Sequence, residues 1–270
     1  MNDLSAKNQI VYTTHSPFML DPDRLDDVAV VEDRSTGSRV ADSIWAVDPD
    51  NSFPIQYALG FDIARLGFGL HDQLIVEGAS DYWFLDGMRA LVLRAKGVDP
   101  LAKTATVFAG GAARVMAQAG TSIGQGHGVR VLLDDDTEGR SQRMVLLREK
   151  TVPDKSILLT TVDDRSEAAI EDMFGDEPYK RLARAVYAKD LTETSGQLRI
   201  PAATAGHPQI ARRVESAFGG IGVRFNKVHV ARRFAEMARS DTLPSPPSSV
   251  DIDRYESFLS RIAELRAFER

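Results

Sequence analysis

An aliphatic run, Val131-Leu132-Leu133, ends in Asp134-Asp135-Asp136 and continues through Thr137 and Glu138 to Gly139. Three consecutive acids do not close an ordinary buried strand unless a cation offsets their charge. Along an extended chain end Asp134 and Asp136 share one side and Asp135 takes the other. That spacing suits two-point ligation of a hard cation by oxygen. A second junction, Leu74-Ile75-Val76-Glu77-Gly78-Ala79-Ser80-Asp81, reads as a buried strand, a tight glycine turn and the start of a helix. Glu77, Asp81, Asp134 and Asp136 together offer what Mg2+ prefers, a few carboxylates completed by water and substrate phosphate oxygens. Like charges this close otherwise raise one another's pKa and oppose folding. Acids at strand ends also form turns and helix N-caps, the ordinary alternative for either cluster alone. Two clusters at strand ends of one sheet favour the metal.

A third acidic element is Ser166-Glu167-Ala168-Ala169-Ile170-Glu171-Asp172-Met173-Phe174, expected to open a helix. There Glu167 and Glu171 share a face and Asp172 points away; Glu167 fits best as a first-turn acid complementing the helix dipole. Lys227 stands alone between two helical stretches, which by itself describes a solvated side chain. The five histidines form no HxH, HxxxH or HExxH pair, which argues against zinc. No nucleophile elbow, Ser/His/Asp arrangement or P-loop is visible.

The elements that must position these residues follow from periodicity. Strands are expected at about 73–77, 104–109, 129–134 and 156–162, alternating with helices at about 80–96, 112–119 and 139–150. This is the rhythm of a parallel sheet, whose sites lie at the carboxyl ends of strands. Gly110-Gly111 and the Gly124 to Gly128 loop supply turns. Beyond Asp164 the strands stop: 166–189 and 209–239 carry helical periodicity, the second with a break at Gly219-Gly222, and 190–208 is a polar loop. Ser245-Pro246-Pro247-Ser248-Ser249 punctuates the chain, and Ile252, Tyr255, Leu259, Ile262 and Leu265 predict a last amphipathic helix. Upstream, Gln9 to Pro17 reads as a short strand ending in a polar turn, and Val28 to Val31 with a Thr36-Gly37 turn predicts a hairpin.

With 270 residues, 43% of them hydrophobic, the chain can bury a full core. It contains no run of 18 apolar residues and no signal-like N-terminus, so a cytoplasmic protein without membrane insertion is expected. The absence of cysteine excludes disulfides and thiolate metal sites. A formal charge of -6 argues against histone-like binding of nucleic acid, but net charge averages over faces. Arg140, Arg143, Arg148 and Lys150, and later Arg212, Arg213, Arg224, Lys227, Arg232 and Arg233, make either solvated helix faces or a rim that contacts phosphate.

Glu77-Gly78 at one strand end, with Asp134, Asp136 and Gly139 at another, resembles the TOPRIM fold of topoisomerases, primases and related nucleases. Val11-Tyr12-Thr13-Thr14-His15-Ser16-Pro17-Phe18 resembles the switch-histidine segment that ends an ABC-type ATPase core. The combination is similar to the overcoming-lysogenization-defect (OLD) family of nucleases. Over most of residues 8–175 the resemblance implies an α/β protein with a TOPRIM-type, mostly parallel sheet flanked by helices. It divides the chain into an ATPase remnant and connector (1–70), a TOPRIM catalytic domain (71–165) and a C-terminal helical domain (166–270) that adds late site residues. Without Walker motifs the chain corresponds to the C-terminal region of such a protein, and His15 has no γ-phosphate to sense.

The resemblance further implies metal-dependent cleavage of DNA with two cations per site, Mg2+ or alternatively Mn2+ or Ca2+. Glu77, Asp81, Asp134 and Asp136 would hold the metals, and Glu171 and Asp172 match the family's later Ile-Glu-Asp motif. Lys227, within Asn226-Lys227-Val228-His229-Val230-Ala231, resembles the late lysine that stabilises charge at the scissile phosphate. Implied partners are DNA, the ATPase portion of the whole protein and a UvrD-type helicase, with a place in phage defence or DNA repair. Two other readings of the acids are a receiver domain, in which Mg2+ and a late lysine serve an aspartyl phosphate, and an ATPase-associated scaffold that binds DNA without cutting it.

Overall fold

The computed structural model describes residues 10–14, 28–34, 37–41, 72–162, 165–194 and 196–269. The chain divides into two compact units, Met1–Asp62 and Ile63–Arg270. In the first, β1 (Val30–Arg34) and β2 (Gly37–Ala41) pair antiparallel, Val31 opposite Val40, as the expected hairpin. Residues 10–14 carry no strand, contrary to the sequence expectation. β-branched and aromatic composition yields a strand only where a neighbour completes the ladder, and Val11 remains 85% exposed. His15 to Phe18, the rest of the switch-histidine resemblance, lie outside the described residues, as do Gln9 and Thr36.

The second unit is built on β3 (Asp72–Val76), β4 (Thr104–Phe108), β5 (Gly128–Asp134) and β6 (Ile157–Thr160), parallel throughout in the spatial order β4-β3-β5-β6. The near-continuous apolar runs in these strands follow from helices covering both faces of a parallel sheet. On one face Ile75, Val107, Val129, Val131 and Leu133 pack against Val115 and Ala119 of α2 (Val115–Gly124) and Leu146 of α3 (Thr137–Arg148). By alternation Leu74, Val76 and Leu132 face the other way and are also buried.

The first helix, α1 (Ala79–Lys96), ends at Gly97, whose φ of 75° is the left-handed conformation that stops a helix without a Cβ penalty. It packs closely on α7 (Lys227–Ser240): a Cβ at Gly87 would lie 2.4 Å from the Phe234 ring, so only glycine lets the helices approach this far. Around that contact Phe84, Phe174 and Phe234 form a cluster with centroids 4.7–5.8 Å apart, closed by Tyr255 of α8 (Ser249–Glu264) at 5.5 Å from Phe174.

Downstream, the continuous helix expected over 166–189 is broken. Ala168 instead extends beside Asp135 and exchanges both backbone hydrogen bonds with it (2.8 and 3.1 Å). A 3-10 turn (Ile170–Phe174) follows, then α4 (Asp176–Val186) and α5 (Ala188–Glu193). The break has two causes: Asp172 Oδ2 accepts the Ala169 N–H and fixes a start there, and Gly175 turns the chain at a φ of 75°. Residues 209–239 resolve into α6 (Ile210–Gly220) and α7. Ser248 caps α8, and the tail returns to the sheet, where Phe268 exchanges two 2.9 Å hydrogen bonds with Val129. Leu265 is already past the end of α8. Among the described residues no helix is long and apolar enough to cross a membrane.

Candidate functional site

Numbered within the sheet, the strand order is 2-1-3-4, so the connections reverse direction between β3 and β5. Ligands of open α/β sheets bind at that reversal, outside the carboxyl ends of the strands. Glu77 directly follows β3 and Asp134 ends β5. The two are joined, since Glu77 Oε1 accepts the Asp134 N–H at 2.9 Å. Gly139 makes the approach possible: a Cβ there would sit 2.0 Å from the Asp134 carbonyl oxygen and 3.2 Å from Glu77 Oε1.

Asp81 and Asp136 serve partly as helix caps, the ordinary role weighed from sequence. Asp81 Oδ2 accepts the Gly78 N–H at 2.8 Å and Oδ1 meets the Ser80 hydroxyl at 3.4 Å. Asp136 Oδ1 accepts the Gly139 N–H at 2.9 Å at the head of α3, and Oδ2 accepts from Gln209 Nε2 at 3.2 Å. Asp135 departs from its neighbours, as the alternation requires, and pairs with Arg140 at 2.6 Å.

The Asp135–Ala168 bridge carries the 3-10 turn to the end of β5, where its two acids take opposite roles. Asp172 is turned into the protein: Oδ1 accepts from Arg165 Nη1 (2.7 Å) and the Ile210 N–H (2.8 Å), and Oδ2 from the Ala169 N–H. Its carboxylate is fully engaged. Glu171 is 0% exposed and neither of its oxygens has a hydrogen-bond partner. Lys227, the first residue of α7, brings Nζ to 3.4 Å from Glu171 Oε1, an ion pair without hydrogen-bond geometry. Asn226 caps that helix, its Oδ1 accepting the Val228 N–H at 2.9 Å. Glu167 lies outside any helix, against the first-turn role expected for it, and accepts from the Thr137 hydroxyl at 3.2 Å.

The electrostatics record an excess of negative charge. Burial, then Asp81, pushes the Glu77 carboxyl up to about 7 against the pull of the Asp134 N–H and Lys227. Asp81 is raised to about 6, chiefly by burial, with Lys227 opposing and Glu171 reinforcing. Asp134 is raised by burial and by Asp81. Lys227 is raised in turn, first by Glu171 and then by Asp134 and Asp81. Although 45% of its side-chain surface is open to solvent, the ammonium is held among these carboxylates.

Among the described residues no three His, Cys, Asp or Glu side chains stand as they would around a metal ion. The donor set nevertheless fits a cation, because a fully buried carboxylate without a hydrogen bond is costly unless a positive charge compensates it. One lysine faces several acids there. Gln209 and Arg165 support the site and escaped the sequence reading, and Arg213, expected on a solvated face or a phosphate-contacting rim, is instead buried. Arg213, 1% exposed, grips Asp176 with both terminal nitrogens (2.6 and 2.7 Å). An arginine on the apolar stripe of a helix, beside Ile210, Val214 and Phe218, is a signal that a buried acid awaits it; Gln209 offers no such signal. No family model, curated protein or solved structure matches this chain.

Proposed function

We propose that this chain is a divalent-metal-dependent nuclease of TOPRIM type, hydrolysing DNA phosphodiesters at the β3–β5 reversal. The observation that carries the reading is Glu171, a wholly buried carboxylate with neither oxygen hydrogen-bonded, facing Asp81 and Asp134 and offset by a single ion pair to Lys227. Glu77, Asp81, Asp134, Asp136 and Glu171 would hold Mg2+, with Mn2+ or Ca2+ as alternatives. Asp172 holds the 3-10 turn in place instead. Two cations, when bound, supply an activated water and neutralise the leaving oxygen. Helices α1, α3 and α7 all begin at the site, and their N-terminal partial positive charge favours an anionic phosphodiester. Lys227 adds a full charge where the transition state becomes more negative.

The test is cleavage of supercoiled and linear DNA by the purified chain in Mg2+, Mn2+, Ca2+ and EDTA. Cleavage is expected only with metal, falling about 100-fold or more in Glu171→Gln and Asp134→Asn, with the fold intact. Lys227→Ala should lower the rate and leave DNA binding in place, and Lys227→Arg should rescue poorly because its planar fork replaces a compact charge. Cleavage in EDTA, or full activity of Glu171→Gln, refutes the assignment. The 2-1-3-4 strand order with an acid at the end of the third strand also suits a receiver. That second reading gains if acetyl phosphate phosphorylates Asp134 and DNA stays intact.

A further inference from the structure

Gln209 precedes α6 and is only 4% exposed, so its amide needs partners on both ends. Nε2 donates to Asp136 Oδ2 at 3.2 Å, and Oε1 accepts from Arg212 Nε at 2.9 Å. The amide orientation is forced, because a carboxylate takes only an N–H and a guanidinium meets only an oxygen. Gln209 therefore ties a site carboxylate on one side to an arginine on the other.

Arg212 differs from the arginines around it. Arg165 and Arg213 direct their terminal nitrogens to Asp172 and Asp176, Arg140 pairs with Asp135 and Arg143 with Asp154. Arg212 is exposed, directs only Nε inward, and among the described residues no carboxylate pairs with its terminal nitrogens. A guanidinium anchored at Nε with two outward NH2 groups presents a preorganised fork for a phosphate.

Resting on the nuclease reading, we infer that Arg212 binds a phosphate of the DNA strand flanking the scissile one, and that Gln209 is a positioning residue that couples this contact to Asp136. The grip acts on substrate affinity and register, because the phosphate it holds does not change charge in the reaction.

The experiment is steady-state cleavage of a fluorescein-labelled linear duplex in Mg2+ over a salt series, with Mg2+ binding to the DNA-free protein read by calorimetry. For Arg212→Gln, kcat/KM should fall about tenfold through KM, and the slope of log(kcat/KM) against log salt should flatten by about 1, one phosphate contact having been lost. Mg2+ affinity should hold. Arg212→Lys should recover only part, having charge but no Nε–H for Gln209. Gln209→Leu should raise KM similarly, and adding Arg212→Gln to it should add less than about twofold, since both remove one coupled contact. Multiplying defects would overturn the positioning role of Gln209. An active unsubstituted chain whose KM and salt slope are unmoved by Arg212→Gln would overturn the phosphate contact alone. An unsubstituted chain that neither binds nor cuts the duplex in any metal removes the nuclease reading and this inference with it.

Discussion

At the scale of single residues the site is a balance between burial and charge. Glu77 is lifted from 4.5 to about 7 and Asp81 from 3.8 to about 6, so the folded protein holds these protons more tightly than the unfolded chain does. The stability contributed by a raised carboxyl is fully present below its unfolded value and is lost as pH rises through the folded one. Without divalent metal, these two groups therefore reduce stability across the window from about 4 to about 7. Asp176 works in the opposite sense: Arg213 and Arg165 lower it to about 2, and its contribution is lost only as pH falls toward that value. Cations bind the ionised carboxylates of the folded state, so the rise in melting temperature on adding Mg2+ should be larger at about pH 8 than at about pH 5. Calorimetric melting with and without Mg2+ at both pH values checks this; an equal rise at both would mean that the metal binds elsewhere.

At the scale of elements, short irregular segments do what the regular strands cannot. The sheet delivers Glu77 and Asp134, but Glu171 arrives only because Ala168 pairs with Asp135 and the 3-10 turn follows at once. Asp172 secures that turn through the Ala169 N–H, joins it to α6 through the Ile210 N–H and balances Arg165. Removing it leaves the Ala169 and Ile210 N–H donors without their acceptor and takes from Arg165 one of its two carboxylate partners, Asp176 remaining. Asp172→Ala should therefore cost about 2–4 kcal/mol of folding stability, whereas Asp134→Asn should leave metal-free stability unchanged or higher, since it removes a crowded buried charge. Denaturant unfolding of the two metal-free variants separates the roles. Similar losses in both would show that Asp172 is not the structural member of the set.

At the scale of the whole molecule the site belongs to a unit larger than its sheet. Glu171 and Lys227 come from segments beyond the fourth strand, α1 lies against α7, and the tail pairs with Val129. A fragment of residues 63–270 should unfold in one cooperative transition, whereas one ending at 165 should lack it, having lost Phe174 and Phe234 from around Phe84 and Tyr255 from behind Phe174. Circular dichroism melts of the two fragments decide the point. The sequence by itself determined the strand–helix alternation from Gln73 to Thr160, the burial of its apolar runs and the divergence of Asp135 from Asp134 and Asp136. Each of these follows from local periodicity and backbone alternation, which need no knowledge of distant neighbours. Only the tertiary structure decided that 166–175 breaks into an extended bridge and a turn, that Asp172 is engaged by Arg165 while Glu171 faces Lys227, and that Gln209 joins Asp136 to Arg212. The physical reason is range: most of these outcomes depend on groups brought together from far along the chain, 38 positions for Ile210–Asp172 and 73 for Gln209–Asp136. Helical spacing reports which face of a helix is apolar, but not which of two adjacent acids will find a partly buried arginine.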